Sequence, residues 1–292
     1  AGGTLGILIP PSVVLILFGL LTEADIGKLF LAGIIPGVVG ILGYLLAVMA
    51  AVRLKPELAP KVGEVHPMTR RDVISVLAVT ALFVFIMVGI YGGLFTPIEA
   101  AGMGAAAALV IAFATGGMTR SALWTAFLDS ATASAMIFAI IIGAEIFSNF
   151  ITFAGLPDSL SEIVDGLGLS PWLVMLLIVA IYLVLGCFLE SLSMILLTVP
   201  VFYPVIANLD FGMAVLNDPE AVVTWFAIIV VVVTEISLIT PPIGMNVFVL
   251  RSVLPDVPLR TIFRGVYVFW VSDILRLALI IFVPGLSLWL VQ

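Results

Sequence analysis

Cysteine and histidine are nearly absent from this sequence, and charge is scarce. The single cysteine, Cys187, lies inside an apolar run and cannot close an internal disulfide. The single histidine, His66, stands in a charged loop, where a lone imidazole is ordinarily solvated, so no metal is assigned to it. Only 10% of the 292 residues are charged, the net charge is −7, and no basic stripe runs along the chain. That balance argues against nucleic-acid binding. The sequence also lacks a phosphate-cradling P-loop, an HExxH helix, and any serine–histidine or paired-aspartate constellation. ATP hydrolysis and intramembrane enzyme chemistry are therefore without their usual residues.

What fills the chain instead is hydrocarbon. Hydrophobic residues make up 63% of it, and mean hydropathy is +1.35. They recur along the whole length in runs of about 18–25 residues, the length that crosses roughly 30 Å of bilayer. This predicts an all-α polytopic membrane protein. The expected spans are 5–21 (broken at Pro10-Pro11), 31–53, 73–92, 98–115, 132–152, 171–187, 194–206, 221–251 (broken at Pro241-Pro242) and 265–285. The run 171–206 has two apolar arms around a polar turn, Gly186 to Ser193. Its second arm, 194–206, is too short to cross comfortably, which predicts a re-entrant hairpin.

Positive residues orient the spans. Arg53, Lys55, Lys61, Arg70 and Arg71 place the loop 53–72 in the cytoplasm, with Arg120, Arg251, Arg260 and Arg264 on the same side. The acidic stretches 158–165 and 210–220 then fall outside, as does the C-terminus. Charge alone does not prove the hairpin, because two full crossings would leave the parity unchanged.

The segment ILIPPSV (7–13) resembles LITPPIG (238–244), and the two run through the membrane in opposite directions in this topology. Pro10-Pro11 aligns with Pro241-Pro242, Ile9 with Thr240, and Gly6 with Ser237. A short amphipathic stretch with a cation and a glycine is expected after each, Lys28 and Gly33 in one, Arg260 and Gly265 in the other. Inverted repeats with broken helices are a mark of secondary transporters. Proline lacks an N–H and crowds the carbonyl four residues earlier. Each pair should therefore free two carbonyls, those of Gly6 and Ile7 and those of Ser237 and Leu238. Irregular backbone at membrane depth is tolerated where it lines a cavity, and such carbonyls suit a dehydrated cation such as Na⁺. A plain proline kink is the competing reading for either segment alone. A channel is a further alternative, but two inverted breaks suit alternating access better.

Four blocks carry a family resemblance: GTLGILIPPS (3–12), GIYGGLFTPIEAA (89–101), GCFLESLSMILLTVPVFYPV (186–205) and EISLITPPIGMNVFV (235–249). In this order they resemble the large membrane subunit of tripartite ATP-independent periplasmic (TRAP) transporters, DctM-like, over essentially the whole chain. The resemblance implies an elevator mechanism in a bacterial inner membrane, with Na⁺ as coupling ion and no organic cofactor. It also implies a periplasmic solute-binding protein, a small Q-type membrane subunit and a small organic anion, dicarboxylate or sialic-acid-like. A binding-protein-independent Na⁺-coupled dicarboxylate or citrate carrier is the alternative. The expected organisation is a first broken helix at 1–21, scaffold-type helices and an arm over 22–134, and transport-domain helices over 135–251. The last of these would include the hairpin 171–206 and the second broken helix 221–251, with an arm and a C-terminal scaffold helix at 252–292. Family members are longer, so this sequence is expected to be a fragment in which the cation site of the first repeat is half present. The family often has aspartate where Glu190 stands, which leaves ligand geometry at that turn open.

The candidate cation ligands are Gly6, Ile7, Pro10 and Ser12 at the first break, Ser237, Leu238, Thr240 and Gly244 at the second, and Glu190 and Ser191 at the hairpin turn. Ser193, Met245 and Asn246 are candidate solute contacts. Glu190, Ser191 and Ser193 also suit helix capping, and both readings stay open. Glu145 and Glu235 are ionisable groups inside apolar runs, hence functional candidates, with Glu235 preferred. Asp273 and Arg276 stand three apart on a helix and are expected to form a structural ion pair. TPIEA (96–100) reads as a helix start, with Pro97 and Glu99 in the first turn.

Overall fold

The computed structural model describes residues 2–58 and 69–292. Expectations about Lys61 and His66, and about the side chains of Arg71 and Asp165, lie outside the described residues. Among the described residues there is no strand. The helices are α1 (Gly2–Leu5), α2 (Val13–Thr22), α3 (Ile26–Leu54), α4 (Arg70–Tyr91), α5 (Pro97–Ala114), α6 (Arg120–Phe153) and α7 (Leu156–Gly166). They continue with α8 (Pro171–Leu185), α9 (Ser191–Ala207), α10 (Pro219–Ser237), α11 (Met245–Val253), α12 (Leu259–Phe282) and α13 (Gly285–Leu288). Six of them, α3, α4, α5, α6, α10 and α12, are long and apolar enough to cross a membrane. The protein is a polytopic helical membrane protein. The chain divides into two compact units, one of Ala1–Leu58 with Ile140–Gln292 and one of Ala59–Ala139.

The first unit is built around α10. Every residue from Ala221 to Ser237 is buried, because α2, α3, α8, α9, α12 and α13 all pack on this helix. A helix apolar on every side has no face to give to water, and its place is inside. Its start is fixed by the Asp218 cap and by Pro219 in the first turn. Nearby, the Trp225 indole donates to the Ile280 carbonyl of α12 at 2.9 Å. Trp172, Phe211 and Phe282 join Trp225 in an aromatic cluster with ring centroids 5.0–6.2 Å apart.

Several boundaries differ from the sequence expectation. The Asp25 side chain caps α3 by accepting from the Lys28 amide at 3.1 Å, so Lys28 and Gly33 belong to the long helix itself. Arg260 and Gly265 likewise lie in α12. The separate amphipathic stretches expected after each proline pair are thus the opening turns of spans. Lys28 pairs with Glu220 at the start of α10, 2.6 Å away. The acidic stretch 158–165 is helical, within amphipathic α7, which packs on α9.

The hairpin comprises α8, a tip from Gly186 to Glu190, and α9. The second arm starts at Ser191 rather than 194, because the Glu190 carboxylate accepts from the Ser193 amide at 3.2 Å and caps the helix there. It is the longer arm, 17 residues against 15. At 1.5 Å per residue both arms reach only about 22–26 Å, short of a roughly 30 Å hydrocarbon core. The length argument for re-entry therefore applies to both arms and not to the second alone.

In the second unit α4 and α5 pack together, with Phe85 and Phe95 rings 5.7 Å apart. Thr96 and Glu99 form a reciprocal capping box with Pro97 in the first turn of α5, as TPIEA foretold. Most of the apolar surface of α4 and α5 is exposed, as suits helices that meet lipid.

Candidate functional site

Both proline pairs interrupt helices. At the second, α10 ends at Ser237 and α11 begins at Met245. The Thr240 amide donates to the Ser237 carbonyl and the Asn246 amide to the Leu238 carbonyl, each at 3.1 Å. The carbonyls expected to be free are thus each held by one downstream amide. A carbonyl oxygen has two lone pairs, so one remains for another partner. The Thr240 hydroxyl donates to the Ile236 carbonyl at 2.6 Å and accepts from the Trp270 indole at 2.9 Å. Gly244 opens α11 with φ of +60°, a conformation glycine adopts without the Cβ penalty. The Gly244 carbonyl accepts from the Val247 and Phe248 amides. Met245 is half-buried, and Asn246 is exposed, its backbone N–H donating to the Leu238 carbonyl.

The first break is satisfied differently. The Leu5 carbonyl accepts from the Leu8 and Ile9 amides at 3.2 Å each, and the Thr4 carbonyl from the Ile7 amide at 3.0 Å. The Ser12 hydroxyl donates to the Ile7 carbonyl and accepts from the Leu15 amide, capping α2. Here too the Ile7 carbonyl is partnered, in this case by a side chain. Pro10 is buried and Gly6 is exposed. Both Pro-Pro peptide bonds are cis.

The hairpin touches both broken helices. Its second arm, α9, packs against α2 on one side and α10 on the other. Its tip sits on the second break: a side chain at Gly186 would strike Ser237, and the Cys187 thiol lies 3.6 Å from the Thr240 carbonyl and 3.8 Å from that of Pro241. Ser191 is buried at the start of α9. Glu190 and Ser193 face each other across the cap, carboxylate to hydroxyl at 3.4 Å.

Beside the breaks lies a buried charge cluster. Arg276 Nη2 is 2.6 Å from Glu235 Oε2 and 3.1 Å from Asp273 Oδ1, and the Tyr44 hydroxyl donates to Asp273 Oδ2 at 2.6 Å. The sequence paired Asp273 with Arg276, and that pair is present. It did not pair Arg276 with Glu235, although two ionisable residues isolated in apolar runs and opposite in sign were the available signal. Cys187 reaches the second break as part of the hairpin tip expected there, whereas Trp270 was missed as a neighbour. Glu145 is exposed on α6 and outside the cluster. Among the described residues no group of three or more His, Cys, Asp or Glu side chains gathers as a metal would require. Oxygen donors at the second break come from backbone and hydroxyl groups.

Paired broken helices, a hairpin lodged between them and several spanning helices define a membrane-transporter architecture. Comparison with known proteins agrees. Residues 1–286 match the family described as Tripartite ATP-independent periplasmic transporter, DctM component, and the chain belongs to that family. It is 35% identical over 292 residues to the C4-dicarboxylate TRAP transporter large permease protein DctM of Pseudomonas aeruginosa, covering 98% of this chain and 64% of the relative. It is 31% identical over 293 residues to the sialic acid TRAP transporter large permease protein SiaM of Vibrio cholerae, with 98% and 64% covered. The isethionate TRAP transporter permease protein DctMQ of Oleidesulfovibrio alaskensis is 33% identical over 258 residues, with 87% and 38% covered. The chain thus spans 64% of the length of the first two of these relatives.

Proposed function

We propose that this chain is part of the large permease of a Na⁺-coupled transporter that takes up a small organic acid across the bacterial inner membrane. The observation that carries the reading is the second break. There, carbonyls of Ser237 and Leu238 with a lone pair to spare, the Thr240 hydroxyl and the hairpin tip at Gly186 and Cys187 converge. Hard cations prefer oxygen donors of this type. The hairpin lodged beside both broken helices supplies a body that could carry ion and solute together, as an elevator requires. In this reading Met245 and Asn246, at the start of α11, face the solute with Ser193.

The names of relatives guide the choice of cargo: one is a C4-dicarboxylate permease and another a sialic acid permease. A periplasmic binding protein would deliver the solute, and a small membrane subunit, fused or separate, would complete the scaffold. The loop 53–72 faces the cytoplasm and the C-terminus the periplasm.

Uptake by the full-length protein in proteoliposomes tests the proposal. Accumulation should require both an inward Na⁺ gradient and the binding protein. Uptake indifferent to Na⁺ would remove the coupling ion, and uptake without the binding protein would leave a stand-alone carrier. Single cysteines placed at Gly166 and Asn208 should label from the same membrane face. Labelling from opposite faces would show that the hairpin crosses.

A further inference from the structure

The Arg276 cluster joins more of the first unit than an ion pair needs to. Glu235 comes from the last turn of α10, just before the second break, and its carboxylate lies beside the Leu8 amide in the first break. Asp273 and Arg276 come from α12, and Tyr44 from α3. The Thr4 side chain, in α1, lies within reach of the Tyr44 hydroxyl. Thr4 and Glu235 occupy matching places in the repeat, since each lies six residues before the first proline of its pair. The cluster therefore binds equivalent points of the two broken helices to one guanidinium. Glu235, Asp273 and Arg276 are each at most 2% exposed.

Burying two carboxylates and a guanidinium carries a large desolvation cost before they attract one another. Apolar side chains of the same volume often hold helices as well as a buried ion pair does, so net stability is a weak account of the arrangement. Charged groups differ from apolar ones in direction: a guanidinium presents donors in a fixed plane and accepts one geometry. The neighbouring backbone is shaped to admit it. At Gly40 of α3 a Cβ would collide with Arg276 Nη1 and with Leu5 of the first broken helix.

We propose that Arg276 is a positioning residue that holds the two broken helices in one fixed register. It does so through Glu235 on one side and through Asp273, Tyr44 and Thr4 on the other. Its consequence for transport rests on the reading of the breaks as the ion and solute site. The register itself can be measured apart from that reading.

The experiment places spin labels at Leu20 on α2 and Val249 on α11, both exposed, in the full-length protein with buried Cys187 left in place. The wild type should give one narrow distance distribution. Arg276→Gln should broaden it roughly twofold, as expected when one conformation gives way to several. Gly40→Ala removes no polar group yet should broaden it too, and it decides the matter if Arg276→Gln does not fold. Arg276→Lys, which keeps the charge but not the planar fork, should fall between. A role in overall stability alone would lower the melting temperature and leave the width among folded molecules unchanged. Wild-type widths in the folded variants would overturn the proposal. Na⁺ half-saturation for uptake, measured alongside, should rise in the broadened variants. A wild type without any Na⁺ response would remove the ion reading and leave the label widths to judge the clamp.

Discussion

The two proline breaks are alike in sequence and unlike in how they are satisfied. At the first, the Ser12 hydroxyl takes the Ile7 carbonyl and caps the outgoing helix in one gesture. At the second, two backbone amides take the carbonyls, Gly244 turns the chain without a side-chain cap, and Thr240, Trp270 and the hairpin tip crowd the interruption. The same dipeptide, with no N–H to offer, imposes a break in both places. Which groups then repair the backbone depends on what the rest of the fold brings near. The first break has its own serine two residues after Pro10. The second has threonine one residue before Pro241 and borrows a tryptophan from α12. Repetition in sequence thus fixes where helices stop and leaves the chemistry of each stop to its surroundings.

The sharpest way to break the comparison is at the hairpin tip, which sits on the second break. Gly186→Ala puts a methyl group into the Ser237 side chain and 3.2 Å from the Met194 sulfur. Overpacking of this kind costs about 1–3 kcal/mol, and the tip must lift away from Ser237. Uptake should fall at least roughly tenfold, the order of a 1.4 kcal/mol penalty at the site. Adding Ser237→Gly returns the space and should recover much of the uptake. Wild-type uptake by Gly186→Ala alone would show that the tip does not need to rest on the break.

A smaller effect separates the ion from the scaffold within the second break. Thr240→Val keeps shape, removes a hydroxyl oxygen and leaves the Trp270 indole without its acceptor. A donor left unsatisfied at this part-buried site loses at most the roughly 1–3 kcal/mol of a buried one, so thermal stability should drop modestly. If the hydroxyl also serves Na⁺, half-saturation for the ion should rise well beyond the loss in maximal uptake. Trp270→Phe removes the donor and spares the hydroxyl. It should leave the Na⁺ response near wild type. Equal Na⁺ shifts in both variants would assign the effect to packing between α12 and the break, and not to a ligand.

Much of this arrangement was legible beforehand because it follows from local rules. Runs of apolar residues announced the spans, and proline pairs announced the breaks. The polar turn between Gly186 and Ser193 announced the hairpin, and TPIEA its capped helix. The partners were not legible, because they depend on tertiary placement. Proline chemistry says that the Leu238 carbonyl loses a helical partner, yet only the fold returns Asn246 to supply another. Spacing along one helix pairs Asp273 with Arg276, while Glu235 is 41 positions from the arginine it binds most closely. The starts of α3 and α9 were misjudged for a related reason: Asp25 and Glu190 extend each helix toward the polar side by capping it, where hydropathy alone sees a loop.

The gentlest test lies at the first break. Ser12→Ala removes the cap on α2 and the hydroxyl that holds the Ile7 carbonyl, and Ser12 is buried, so water does not readily replace it. Loss of a serine cap costs about 0.5–2 kcal/mol. The result should be a lower melting temperature. If the Ile7 carbonyl and Ser12 oxygen serve only to repair the backbone, the Na⁺ half-saturation of uptake should stay where it was, in contrast to Thr240→Val. If they are ligands, as the matching sequence of the two breaks suggests, half-saturation should rise in both variants alike. The two substitutions measured together therefore decide whether the repeat is symmetrical in function or only in the places where its helices stop.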